Sequence, residues 1–434
     1  MSVIQELQSK NPISLHRLSE LSELDPEECE QTLLDILDNK MVVGKYFQFE
    51  QVFSPKEIPI SCEVGMEKFP TSFPHHSCNS CGKHVCGKCI GGLIVTGFVA
   101  CPFCDTEIDP NPVVAALEAS DDSSLSIIGK GLQFIIERKY EAASNVFSDL
   151  IADHKEDGLI WFYLGSSLSK LKKFKESLPC WKKADKFLPN TPEVLTNWGY
   201  AFLTLGFSED ALPKFQASFE LHPNQPITLM NWGAALFKLS RYEEAIEKLK
   251  LADKIRPKYP NIITNWGNSL LKLKRYEEAL EKFQTANNIQ PNQFIILKGW
   301  GATLLALGHS EKAIEKYKAA NSIQPNHPAI LMQWGTALLR LGHFEEANEK
   351  YQVANSIQPN HFAILLGWGS VLLKLDRFEE ALEKFQSADN FQPNHPAILM
   401  QWGTALLKLG RVKEGAQMMR KGKKLHDANK KSSD

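Results

Sequence analysis

The chain has 434 residues, a length that permits two to four domains. Its 49 Lys and Arg residues nearly balance 51 Asp and Glu residues, so the basic excess typical of nucleic-acid-binding proteins is missing. Residues 1–12 are polar, and the longest apolar run, 91–100, has half the length of a membrane span. We therefore expect a cytoplasmic protein without a membrane span.

Residues 1–55 have the pattern of three short helices followed by a two-stranded hairpin. The third helix is predicted to begin with Asp25 as its N-cap, Pro26 at the first helical position and Glu28 completing a capping box. The hairpin strands are expected at residues 41–43 and 46–49. This order of elements resembles a winged-helix domain.

Many winged-helix domains bind DNA, but the charges of this segment favour a different use. Residues 1–60 hold five Lys or Arg residues against eleven Asp or Glu residues, and the predicted third helix is rich in carboxylates. DNA binding requires cations that replace the counterions of the phosphates. We expect this domain to contact proteins, with a domain that merely adds a folded end to the chain as the alternative.

A cysteine-rich segment at residues 56–106 is predicted to bind zinc. Seven of the nine cysteines lie between Cys62 and Cys104, which indicates metal ligands and not disulfides in a chain without an export signal. Each Cys-x-x-Cys pair can place two thiolates on one tetrahedral zinc ion. Six paired thiolates exceed one site, so we expect two zinc ions. The three pairs are Cys78 with Cys81, Cys86 with Cys89, and Cys101 with Cys104.

The order of these pairs suggests a cross-brace in which two interleaved sites share the segment. One ion is predicted to bind Cys78, Cys81, Cys101 and Cys104. The other is predicted to bind Cys86 and Cys89, together with Cys62 and a histidine, either His75 or His76.

Two zinc-finger families resemble this stretch. The sequence HHSCNSCGKHVCGKC is similar to FYVE fingers, while the ending CPFC with Cys81, His84 and Cys86 looks like the second half of a RING finger. Both families have a complete first Cys-x-x-Cys pair, and this chain offers only Cys62 there. FYVE lipid binding relies on arginines that are replaced here. A purely structural zinc module, a RING-like ligase role and a protein-docking role therefore remain open.

After an acidic linker at residues 107–123, a 34-residue unit recurs nine times over residues 124–429, and a polar tail follows at 430–434. With the glycine of each copy numbered 8, Leu or Ile stands at position 4 of the last seven copies, Trp at 7, Ala at 20, an aromatic residue or Leu at 24, and Pro at 32. These spacings predict two amphipathic helices per copy, and such a period is typical of solenoids. The pattern resembles the tetratricopeptide repeat, which implies a mainly α-helical solenoid of about nine helix pairs.

That resemblance implies a concave groove lined by the first helices, into which positions 2, 5, 6, 9, 12 and 13 point. Position 6 carries Asn197, Asn231 and Asn265, whose amides suit an extended peptide backbone, and position 13 carries Lys238 and Lys272, which favour acidic partners. We therefore predict a non-enzymatic scaffold that binds extended partner segments. The alternative is a RING-like ubiquitin-ligase adaptor whose repeats select the substrate.

Overall fold

The computed structural model describes residues 75–77, 84–86, 114, 115, 118, 119 and 123–431, with side chains from residue 126 to 428 in the last range. Within the cysteine-rich segment, strands β1 (His75–Ser77) and β2 (His84–Cys86) pair antiparallel, with His75 opposite Cys86. The remaining described elements are helices. They belong to two compact units, Met1–Pro257 and Lys258–Asp434.

The first unit contains four helix pairs, which correspond to the first four copies. Its helices are α1 (Ser123–Ile136), α2 (Tyr140–Asp153), α3 (Gly158–Lys170), α4 (Phe174–Phe187), α5 (Pro192–Leu205), α6 (Ser208–Leu221), α7 (Pro226–Lys238) and α8 (Tyr242–Ile255).

The second unit contains five helix pairs, which correspond to the last five copies. Its helices are α9 (Pro260–Lys272), α10 (Tyr276–Ile289), α11 (Phe294–Ala306), α12 (Ser310–Ile323), α13 (Pro328–Leu341), α14 (Phe344–Ile357), α15 (Phe362–Lys374), α16 (Phe378–Phe391), α17 (Pro396–Lys408) and α18 (Val412–Lys431).

The boundaries of each helix pair follow from local backbone chemistry. Several first helices begin with a proline at the first helical position, as in Pro328, where the missing amide hydrogen costs nothing. The turn between the two helices contains a left-handed residue such as Gly342, which has φ 82°. The second helix ends just before the proline of position 32, and Asn360, which has φ 64°, then turns the chain into the next copy.

The core of each pair is made by the residues that define the repeat. In the copy that starts at residue 328, Leu331 at position 4 is 3% exposed, Ala347 at position 20 is fully buried and Tyr351 at position 24 is 1% exposed. The small Ala347 lets the two helices approach closely, and the tyrosine ring fills the space beside Gly335. The prediction that positions 4, 20 and 24 form the core is therefore confirmed, whereas Trp334 at position 7 is half-buried.

The expected fold class, mainly α-helical with nine helix pairs, is confirmed over the part of the chain from 123 to 431. The predicted winged-helix domain at 1–55 lies outside the described residues, as do most of the zinc module and the linker. Of the helices that the structure describes, none has the length and hydropathy needed to cross a membrane.

Candidate functional site

The first helices of copies seven to nine, α13, α15 and α17, carry a row of apolar side chains on the side that faces away from the core. Within this row, positions 5 and 12 lie seven residues apart on each helix, and position 13 adds a cation. We call this surface the open face. It consists of Met332, Leu339, Arg340, Leu366, Leu373, Lys374, Met400, Leu407 and Lys408.

Exposure distinguishes the open face from the equivalent positions of the first unit. Met400 is 42% exposed and Leu407 is 37% exposed, and the apolar residues at these positions of α13 and α15 are half-buried. In the first unit, Met230 at position 5 is fully buried and Leu203 at position 12 is only 5% exposed. The first helices of copies three and four therefore present little free apolar surface.

The hydroxyl groups beside the open face, at position 9 of the same three helices, are already engaged. Ser370 Oγ donates to the carbonyl oxygen of Leu366 at 2.8 Å, and Thr404 Oγ1 donates to that of Met400 at 3.0 Å. Thr336 Oγ1 lies 2.9 Å from the carbonyl oxygen of Met332 and also 2.8 Å from the hydroxyl of Tyr351. Apart from its cations Arg340, Lys374 and Lys408, the open face and its surroundings therefore offer few free hydrogen-bonding groups.

In copies six and eight, where position 6 is Gly299 and Gly367, this position does not point into an open groove, contrary to the expectation from the sequence. A Cβ atom on Gly299 would lie 2.3 Å from the ring of Phe283, and one on Gly367 would lie 2.4 Å from the hydroxyl of Tyr351. Phe283 and Tyr351 stand at position 24 of the preceding copies. At these two glycines, position 6 thus faces the second helix of the preceding repeat.

The three predicted peptide-binding asparagines at position 6 differ in exposure. Asn231 is only 1% exposed, so the expectation that its amide faces solvent is wrong, and neither amide atom has a hydrogen-bond partner among the described residues. Asn197 Nδ2 donates to the carbonyl oxygen of Glu193 at 2.9 Å and is half-buried. Asn265 is half-buried in the second unit. A role for these amides in binding a peptide stays a prediction.

The two predicted binding lysines differ in environment. Lys238 Nζ donates to the carbonyl oxygen of Leu203 at 2.6 Å, at the end of the preceding first helix, and burial lowers its pKa to about 8. Arg340 makes the equivalent contact with the carbonyl oxygen of Leu305. The expectation that Lys238 steers acidic partners is therefore weakened, because a cation at a helix C-terminus stabilises that helix. Lys272, by contrast, is exposed.

A buried polar network joins copies three and four, and sequence reasoning missed it. Thr196 Oγ1 lies 2.8 Å from Ser218 Oγ and 2.7 Å from Thr228 Oγ1, and Thr228 Oγ1 donates to Gln225 Oε1 at 2.7 Å. Beside them Glu193 is 7% exposed, and burial raises the pKa of its carboxyl group to about 7. No spacing signalled this network, since the residues come from three different helices and a turn.

A row of lysine–tryptophan pairs was also missed. The tryptophans at position 7 are half-buried, and in copies three to eight the lysine at position 23 of the same copy lies over the ring, with Nζ 3.5 to 4.5 Å from its centroid. The pairs could have been found in the sequence, because their spacing of 16 residues is constant. They are Trp198 with Lys214, Trp232 with Lys248, Trp266 with Lys282, Trp300 with Lys316, Trp334 with Lys350, and Trp368 with Lys384.

A second group of exposed apolar side chains stands at the ends of the second helices, at position 30. It includes Ile323, Ile357 and Phe391, which are 42%, 47% and 52% exposed. Because these residues belong to α12, α14 and α16, they form a surface separate from the first-helix residues of the open face. We call them the second-helix ridge.

The described residues include too few of the predicted zinc ligands to place these ligands relative to one another. Cys62, Cys78, Cys81, Cys89, Cys101 and Cys104 lie outside them, and at His75 and Cys86 only the backbone is described. No group of three or more metal-binding side chains occurs among the side chains that are described. The zinc sites stay a prediction.

Comparisons with known proteins bear on the repeats. The tetratricopeptide repeat family matches residues 196–260 and 332–396. No curated protein matches the chain. These family matches cover parts of both compact units.

Several solved structures are similar in fold. One is the APC/C hetero-tetramer Cut9–Hcn1, at 13% identity and a TM-score of 0.50, covering 70% of this chain and 60% of that one. A thermophilic TPR protein of Thermus thermophilus has 22% identity and a TM-score of 0.37, covering 42% of this chain and 99% of that one. YrrB, described as a TPR protein with an unusual peptide-binding site, has 21% identity and a TM-score of 0.35, covering 43% of this chain and 95% of that one.

At these identities the structural likeness concerns the fold alone. The likeness to the Cut9–Hcn1 structure agrees with the family match, with the 34-residue period and with the buried residues at positions 4, 20 and 24. The chain therefore contains tetratricopeptide repeats.

Proposed function

We propose that this protein is an interaction scaffold, whose repeats bind a segment of another protein on the open face. The observation that carries the proposal is the recurrence of one surface pattern on α13, α15 and α17, namely two apolar side chains followed by a cation. Exposed apolar residues that adjoin one another are typical of protein-binding surfaces. Tetratricopeptide repeats are generally used for protein interactions, which is consistent with this assignment.

The test compares the proteins captured from cell extract by the full-length chain and by two double variants. Met400→Glu with Leu407→Glu changes the open face at its two most exposed apolar positions. Ile357→Glu with Phe391→Glu is the matched control on the second-helix ridge, because both residues are at least as exposed. We expect one set of proteins to be lost with the first variant and retained with the control. Equal capture by all three chains would contradict the proposal.

A second role rests on the cysteine-rich segment. We propose that residues 56–106 bind two zinc ions. Two observations support this proposal: the three Cys-x-x-Cys pairs, and the antiparallel pairing of β1 with β2, which brings the backbone of His75 opposite that of Cys86. The RING-like alternative makes this segment recruit a ubiquitin-conjugating enzyme. An ubiquitylation assay with the purified chain separates the two, since inactivity with a broad set of conjugating enzymes favours the scaffold.

A further inference from the structure

The chemistry of the open face indicates what kind of segment binds there, if the proposed scaffold function is correct. We propose that the partner segment is an amphipathic α-helix with acidic residues along one edge, and not an extended peptide. This inference differs from the expectation drawn from the asparagines of position 6, and it rests on three properties of the described residues.

The first property is the lack of hydrogen-bond acceptors, because the nine side chains of the open face are either apolar or cationic. An extended peptide leaves its backbone N–H and C=O groups unpaired, so a surface that binds it must supply donors and acceptors. The hydroxyls of Ser370 and Thr404 already donate within their own helices. The amides at position 6 do not form a continuous row. Gly367 stands at this position of α15, between Gln333 of α13 and Gln401 of α17. A helix satisfies its own backbone, so it needs none of these groups.

The second property is the arrangement of the apolar side chains. Each of the three helices contributes a pair at i and i+7, as in Met400 and Leu407, and the pairs repeat on neighbouring first helices. Packed helices lie about 10 Å apart, so the surface extends about 20 Å from α13 to α17. A helix rises about 1.5 Å per residue, so about 13 residues cross it and present an apolar stripe of three to four turns.

The third property is charge. The helices α13, α15 and α17 contain no Asp or Glu, whereas Arg340, Lys374 and Lys408 stand at the same position of each. Lys374 and Lys408 are exposed and have no ion pair among the described residues. A row of cations beside an apolar surface is complementary to a helix whose acidic residues flank its apolar stripe.

The experiment uses the full-length chain as bait for two displayed peptide libraries of equal size. One library carries a helical pattern, with leucines at i, i+3, i+4 and i+7 and random residues elsewhere. The other carries a proline at every third position, which favours extended backbone. Peptides that also bind the Met400→Glu, Leu407→Glu chain are removed, so that every retained binder depends on the open face.

We expect retained binders from the helical library, enriched in Asp and Glu. Lys374→Glu with Lys408→Glu should weaken them about tenfold, the size expected when two exposed ion pairs become like-charge contacts. The control Lys312→Glu with Lys413→Glu makes the same change in net charge on exposed residues of α12 and α18 and should have little effect.

The other outcomes are distinct. Retained binders from the extended library would overturn the helix inference and leave the scaffold proposal standing. Helical binders without acidic enrichment, unaffected by the Lys374 and Lys408 changes, would overturn the acidic part. If neither library yields a binder that depends on the open face, the scaffold proposal fails as well.

Discussion

Gly299 in α11 lies against the ring of Phe283 in α10, so closely that a Cβ atom on the glycine would stand 2.3 Å from Cε1 of the ring. The same relationship recurs between Gly367 and Tyr351. In these two copies position 6 is therefore part of the contact between successive repeats, and the aromatic residue at position 24 fills the space that a side chain there would take.

Gly299→Ala should destabilise the second unit. The added methyl group overlaps the Phe283 ring, and such overpacking lowers the unfolding free energy by about 1–3 kcal/mol. Replacing a helical glycine by alanine raises the unfolding free energy by about 1 kcal/mol and so offsets part of this loss. A net loss of about 1 kcal/mol should appear in urea unfolding followed by circular dichroism. Phe283→Leu provides the control background, in which the added methyl group should cost less. A more stable Gly299→Ala chain in the wild-type background would contradict the assigned contact.

The lysine–tryptophan pairs should contribute to stability through charge as well as through packing. Lys316 Nζ lies 4.1 Å from the centroid of the Trp300 ring. Lys316→Met keeps an unbranched side chain but removes the charge, so it should cost about 0.5–1 kcal/mol of unfolding free energy. The same substitution in a Trp300→Leu chain should cost nothing. An equal loss in both backgrounds would assign the effect to the lysine alone.

The stability of the first unit should depend on pH through Glu193. Burial raises the pKa of this carboxyl group to about 7 in the folded chain, from an ordinary value of 4.5. The folded state therefore binds a proton more tightly than the unfolded state, so the contribution is fully present below pH 4.5 and is lost as pH rises through 7.

Between about pH 5 and pH 8 the unfolding free energy should fall by an amount on the order of 2–3 kcal/mol. The measurement is urea unfolding at a series of pH values, with Glu193→Gln as the matched variant that cannot titrate. We expect the variant to lose this part of the pH dependence. A Glu193→Gln chain with the same pH profile as the wild type would show that another group is responsible.

The zinc prediction is tested by metal analysis. The purified chain should hold about two zinc ions, because six paired thiolates exceed one tetrahedral site. Cys101→Ser should lower the zinc content while leaving the helical circular dichroism of α1–α18 almost unchanged, since structural zinc stabilises its own module. A stoichiometry of one in the wild type would exclude the cross-brace.

The repeats could be predicted from the sequence because the same residue types recur at the same positions of successive copies. Proline starts or follows helices, alanine marks a close helix contact, and an aromatic residue fills the core, so Ala347 and Tyr351 are buried as their positions predict. Because the nine copies follow one another at a constant spacing, this recurrence can be recognised within the single sequence.

The open face could not be predicted in the same way. A side chain at position 6 and one at position 5 are neighbours in sequence, and only packing decides which one faces the next repeat. In copy four, packing buries both Met230 at position 5 and Asn231 at position 6, whereas Met400 at position 5 of the last copy is exposed. The exposed apolar residues were not recognised because helical periodicity assigns leucine and methionine to the core by default.

Photo-cross-linking from the surface itself tests the central claim most directly. A benzophenone amino acid is placed at Met400 on the open face or at Ile357 on the second-helix ridge, both of which are exposed side chains. After irradiation in cells, we predict a covalent adduct with a partner protein from position 400 and none from position 357. Adducts from position 357 alone would contradict the assignment of the open face as the binding surface.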